Sequence, residues 1–260
     1  ALLEAGVPAD DPALARALEY LEKLPPKKTY VVGLQTQVLA AADPKKYKEQ
    51  IQKNADWLVK TAVKNGDKLN GWSYPVNTVA DGSNTHFAVM GLHAAARAGA
   101  KVDRAVWLQV REMYRDTQLK DGGWTYYSGQ IAGAAAEKPS LSMTTAAVLG
   151  LTVSAEYDRD AKKPDPAAEK GLALLAPWDF ESAAKSTFYS LFTVAELGRA
   201  IGGNEFKAGG KAKAWYRDGA EKLLRLQRDD GSFAAESRSV DGQPVLATAF
   251  AVYFLGPPKR

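Results

Sequence analysis

The residues best equipped for chemistry in this chain crowd into one segment. Asp81, Ser83, Asn84, Thr85 and His86 lie directly before the apolar run Phe87-Ala88-Val89-Met90. A carboxyl group at a helix start can cap the first N–H groups, or it can deliver a proton if it is held protonated in a dry pocket. Asp81 is therefore the one candidate catalytic acid, and the plain alternative is a cap shared with Ser83. His86 and His93 stand seven apart on one helical face. A metal there would need further ligands from another element, and no residue is designated for that, so neither metal nor cofactor is expected. Asp121, Asp179, Glu181 and Asp230 supply other acids, but no pair is set apart for two-carboxylate hydrolysis.

Composition removes further classes. Cys is absent, which excludes disulfides, thiolate nucleophiles and cysteine metal sites. Phosphate-loop, dinucleotide and nucleophile-elbow patterns are missing as well. The net charge of +4 comes without a dense Lys/Arg stripe, so no nucleic-acid partner is expected. No apolar run reaches the roughly 18 residues of a transmembrane segment.

Repeats organise the elements that must position these groups. Gln118-Leu119-Lys120-Asp121-Gly122-Gly123-Trp124 and Gln227-Arg228-Asp229-Asp230-Gly231-Ser232-Phe233 share the pattern Q-x-x-D-G-x-aromatic. Gly71-Trp72-Ser73-Tyr74 keeps its end, and Trp178 falls where a further copy belongs. The aromatic positions 72, 124, 178 and 233 are 52, 54 and 55 residues apart, a period that fits a helical hairpin. Before each marker runs an amphipathic helix; Ile51, Ala55, Leu58 and Ala62 share one face of the second. After each comes a more apolar helix rich in small residues, over 30–42, 84–98, 142–155, 186–200 and 246–255. A helix apolar nearly all round is a buried one.

The expected fold is all-α: an α/α toroid of five full helical hairpins plus an N-terminal inner-helix stub, an incomplete six-hairpin barrel. It forms one domain over residues 1–260, with almost no sheet. The stub is Ala1-Leu2-Leu3-Glu4-Ala5-Gly6, which reads as a last helical turn ending at a C′ glycine, like Ala96-Arg97-Ala98-Gly99. The chain is expected to begin in mid-repeat as part of a longer protein, which leaves its compartment open.

These repeats resemble the squalene–hopene cyclase and prenyltransferase repeat superfamily. The resemblance spans essentially the whole chain. It implies structural roles at the hairpin corners for Gln118, Asp121, Gly123, Trp124, Gln227, Asp230, Gly231 and Phe233, with the Gln and aromatic residues tying one outer helix to its neighbour. A carbohydrate-binding role for Trp72 and Trp124 is the alternative. The family's cyclases place a D-x-D-D-T segment at an inner-helix start. The nearest match is Asp81-Gly82-Ser83-Asn84-Thr85, with Ser83 and Asn84 where the central acids belong. The zinc ligands of the family's protein prenyltransferases and the thioester of complement-type toroids both need a Cys, which is lacking.

What remains is a ring of small polar groups at the inner-helix starts: Ser83, Asn84, Thr85, His86, Ser142, Thr144, Thr145, Ser186, Thr187 and Thr248. In a toroid they gather at one end of the axis, beside aromatic walls such as Tyr189. Asn84, Thr85, His86, Ser142, Thr145, Thr187, Tyr189 and Thr248 are thus candidates for a small apolar or anionic ligand in a central cavity; the alternative is capping and core filling. The loops 65–81 and 128–139 are candidate lids. Two functional readings follow: a binding module without the family's catalytic acids, engaging a ligand, a protein partner or other domains of a parent chain; or a divergent terpenoid cyclase-like enzyme.

Overall fold

The computed structural model describes residues 1–74, 79–127, 138–161, 164–180, 187–236 and 240–256. Ser186, Glu181 and nearly all of the 128–139 loop lie outside them.

The described chain is predominantly helical. Five amphipathic helices are α1 (Pro12–Glu22), α3 (Lys48–Lys60), α5 (Arg104–Asp116), α7 (Pro166–Leu175) and α9 (Trp215–Leu226). They alternate with α2 (Thr29–Ala42), α4 (Gly82–Arg97), α6 (Leu141–Ser154), α8 (Thr187–Ile201) and α10 (Pro244–Leu255). The second set packs in chain order, α2 on α4, α4 on α6, α6 on α8 and α8 on α10. Nearly every residue of α6 and α8 is buried. Among the described residues no helix is long and apolar enough to cross a membrane.

Helix starts follow from local chemistry. Asp11, Asp103 and Asp165 cap α1, α5 and α7 through their side chains, and α1 and α7 also begin with Pro. Glycine closes two turns identically. Gly6 donates to the Leu3 carbonyl and Val7 to Leu2, as Gly99 does to Ala96 and Ala100 to Ala95. Both glycines have φ 91°, the left-handed conformation this closure requires. Residues 1–6 therefore do end a helical turn.

Two short hairpins were not anticipated as such. β1 (Val63–Asn65) pairs with β2 (Lys68–Gly71), and β3 (Phe206–Ala208) with β4 (Lys211–Lys213). Gly209 and Gly210 have φ 56° and 75°, as a two-residue turn matched to strand twist demands.

Glycines on the helices make room for aromatic rings of their neighbours. A Cβ on Gly150 would collide with the Tyr114 ring, and one on Gly198 with the six-membered ring of Trp215. Trp215 is fully buried and has nowhere to move. Gly198→Ala is therefore expected to destabilise the fold by about 1–2 kcal/mol, despite alanine's better helix propensity, as measured by urea denaturation. An unchanged or higher midpoint would show that the α8–α9 contact is not tight.

Candidate functional site

The two full motifs build the same corner. Gln118 Nε2 donates to the Gly122 carbonyl at 2.9 Å and Gln227 Nε2 to Gly231 at 3.0 Å. Asp121 accepts the Gly123 N–H and Asp230 the Ser232 N–H. Gln118 also reaches the Ala167 carbonyl at 2.8 Å in the first turn of α7, tying α5 to the next amphipathic helix. Gln227 lacks that second bond, since no helix of this class follows α9 in the described chain. Trp124 Nε1 donates to the Tyr114 carbonyl and Trp72 Nε1 to Leu58. Trp178 is only half-buried, and Phe180, two residues on, fills the core instead.

The threonines at the helix starts serve these corners. The backbone N–H of Trp72, Trp124 and Phe233 is accepted by Oγ1 of Thr85, Thr144 and Thr248, at 3.0, 3.3 and 3.0 Å. Thr145 meets Thr193 at 2.6 Å and donates to the Leu141 carbonyl. Ser142 and Thr187 are buried at the starts of α6 and α8. The N–H groups of Phe188 and Tyr189 are capped from a distance by Asp241, whose carboxyl is pushed above its usual range by burial against the pull of those two donors.

Asp81 is engaged as a cap. It accepts the Asn84 N–H at 2.9 Å, the Asn84 side-chain amide at 2.8 Å and the Ser83 hydroxyl at 2.7 Å. Tyr126 closes the group at 3.1 Å from Ser83, its phenol pushed up to about 12 mainly by burial. Asn84 Oδ1 is buried without a partner.

His86 of α4 and Tyr189 of α8 come together in the interior. Nδ1 lies 3.3 Å from the Tyr189 hydroxyl, and Phe87, Phe192 and Phe250 crowd around the pair. Burial pushes the Tyr189 phenol well above its ordinary range, with Glu196 adding to the effect. On the other side of the ring, Nε2 lies 2.7 Å from Glu196 Oε2, and both side chains are almost wholly buried. The two atoms are close but not hydrogen-bonded, so neither has a hydrogen-bond partner.

A cavity of about 530 Å³ opens beyond this pair, at the C-terminal halves of the apolar helices. Gln37 of α2, Met90 and His93 of α4, Val153 of α6, Glu196 and Arg199 of α8, Tyr253 of α10 and Glu4 of the stub all line it. That volume suits a small ligand. Arg199 Nη2 donates to the carbonyls of Tyr253 and Gly256 at 2.7 and 2.9 Å, and its guanidinium lies 4.4 Å from the Tyr253 ring centre. Arg199 Nε and Nη1, and Gln37 Nε2, are buried without acceptors. His93 meets the Tyr157 hydroxyl at 3.0 Å, and burial lowers its imidazole below the usual range. Among the described residues no three His, Asp or Glu side chains converge as metal ligands.

No family model, curated protein or solved structure matches this chain. Its site must be read from its own atoms.

A second cleft, of about 560 Å³, lies between α5 and α7. Most of its charges are already paired: Arg111 and Arg115 with Asp165, and Arg111 and Arg104 with Asp158. The first cavity holds more buried polar atoms without partners, on Gln37, Glu196 and Arg199, against Arg111 Nε alone in the second. None of the candidate ligand-binding residues lines the first cavity; His86 is connected to it only through Glu196, which does. Glu196, Arg199 and Gln37 were missed. A signal existed for the first, because Glu196 is the lone acid in the otherwise apolar run of α8.

Proposed function

We propose that this chain is an α/α toroid of the squalene–hopene cyclase and prenyltransferase repeat type, acting as a binding module for a small ligand. The ligand occupies the mouth at the C-terminal ends of the inner helices. One observation carries the reading: all five apolar helices and the N-terminal stub contribute to a single 530 Å³ cavity, and residues lining it hold buried polar atoms without partners. Helices that share one cavity surround an axis. The stub fits the place of a sixth inner helix, since Gly256 at the end of α10 packs against the Glu4 carbonyl. The repeated corner bonds of Gln118 and Gln227 support the family resemblance. Unpaired buried polar groups each cost about 1–3 kcal/mol, which a ligand that satisfies them recovers. Family-type proton chemistry is not part of this reading, because the Asp81 side chain is committed to Ser83 and Asn84.

A thermal-shift screen of small polar metabolites tests the proposal, run on the native protein and on Ala94→Trp, which fills the cavity wall. The expected result is at least one compound that raises the native melting temperature by several degrees and leaves the variant unmoved. A screen in which no compound separates the two proteins overturns it.

A further inference from the structure

We infer that the axial cavity takes a small zwitterion of the α-amino-acid type, with Arg199 receiving the carboxylate and Glu196 the ammonium group. This rests on the binding reading above and names its ligand class.

Glu196 and Arg199 stand three residues apart on α8 and both line the cavity. Side chains so placed are neighbours on one helical face, and opposite charges there ordinarily close into an ion pair. Here none forms. Glu196 is drawn to His86 of α4, 2.7 Å away. Arg199 is drawn the other way, by the Tyr253 and Gly256 carbonyls and by the Tyr253 ring. The two charges are therefore held open, each anchored to a different helix. Arg199 keeps Nε and Nη1 without acceptors, and Gln37 adds a third such donor through Nε2.

A ligand that carries both signs a few ångströms apart meets both groups at once. The remaining charges agree with this. Arg97 and Glu156 face each other at 3.5 Å on the rim. The other charged groups of the lining are Glu4, Glu196 and Arg199, too acidic a set for a polyanion. Ala40, Met90, Ala94 and Val153 supply a small apolar wall for an aliphatic side chain. A wholly apolar ligand, by contrast, would leave the Glu196 and Arg199 atoms unpartnered.

Isothermal titration of the full chain with L-alanine, L-leucine and L-lysine tests the inference. The controls are 4-methylpentanoate, which is leucine without its ammonium group, and 3-methylbutylamine, which lacks the carboxylate. At least one amino acid is expected to bind; for leucine, each control should bind tenfold or more weakly. Glu196→Gln preserves side-chain shape and should weaken amino-acid binding about tenfold. Arg199→Gln should do the same, while Arg199→Lys, which keeps the charge and guards against a folding defect, should retain part of it. If a control binds as tightly as leucine and Ala94→Trp abolishes that binding, the zwitterion is overturned and the cavity reading stands. The zwitterion falls in the same way if other metabolites bind at this site and no amino acid does. If no compound of any class distinguishes the native protein from Ala94→Trp, both readings fall.

Discussion

Replacing Trp124 by alanine is expected to lower the unfolding free energy by about 3–5 kcal/mol, read as a shifted urea midpoint followed by circular dichroism. Its ring is almost fully buried and packs against Gly171 of α7, where any side chain would press on it. Its Nε1 holds the Tyr114 carbonyl near the end of α5 at 2.9 Å, and its backbone N–H is bound to Thr144 of α6. Alanine thus empties a corner where three helices meet and also leaves the Tyr114 carbonyl with only a long bond, 3.5 Å, from the Thr117 hydroxyl. Trp124→Phe separates the two contributions. It keeps most of the ring and loses only the indole donor, as Phe233 does at the corresponding corner, so a loss of about 1–2 kcal/mol is expected. Trp178→Ala provides the contrast: the residue is half-buried, and its loss should cost clearly less. Equal costs at 124 and 178 would mean that the corner is not where stability is concentrated.

The helical order was legible because two physical patterns differ. A helix packed on one side carries an apolar stripe, and one packed on all sides is apolar throughout. The segment expected at 30–42 is found at Thr29–Ala42, and that at 84–98 at Gly82–Arg97. The hairpins were less legible: strands of three or four residues have no room to display alternation, and Lys64, Lys68, Lys211 and Lys213 make them look like surface loop. Only Asn65-Gly66 and Gly209-Gly210 advertised the turns. The corner at 178 misled because tryptophan is the conspicuous residue there, although packing chose Phe180.

Site residues were harder to see, for a reason built into repeats. Whatever recurs in every repeat serves the contact that every repeat must make. Thr85, Thr144 and Thr248 recur in phase because at three apolar-helix starts, those of α4, α6 and α10, a threonine accepts the N–H of a corner aromatic. In the binding reading proposed above, a ligand group breaks the symmetry, since a single cavity needs each such group once. Glu196 has no counterpart acid in the other apolar helices, so a search for periodicity passes over it, and Arg199 looks like the last-turn arginine that α4 also carries, Arg97. His86 was visible because histidine is rare here, with two in the chain. Its neighbour Glu196, well inside another helix, could be found only by asking why an acid interrupts an apolar run.

Arg111→Met is expected to cost about 3 kcal/mol at neutral pH, and the loss should shrink in acid. Arg111 of α5 is buried, with Nη2 2.9 Å from Asp165 Oδ2 and Nη1 against Asp158. Methionine fills similar volume but strands Asp165 in a buried position. The loss falls at the lower end of that for broken buried pairs because Arg115 still reaches the same Asp165 oxygen at 2.7 Å. Burial pushes the Asp165 carboxyl up, but the bonds from Arg115 and Arg111 outweigh it and hold it below the usual range. Asp158 is also held low, chiefly by its bond from Arg104. A depressed folded-state value stabilises the native protein above the unfolded-state value, about 4, and that contribution is lost as pH falls through the folded-state value. Denaturation at pH 7 and pH 3 should therefore show the native protein and Arg111→Met converging in acid. Asp165→Asn provides the decisive control, since asparagine still caps α7 without a charge to strand. In that background Arg111→Met should cost less than it does alone. A cost independent of both pH and Asp165 would make Arg111 a packing residue, and the α5–α7 junction would then owe its stability to shape alone.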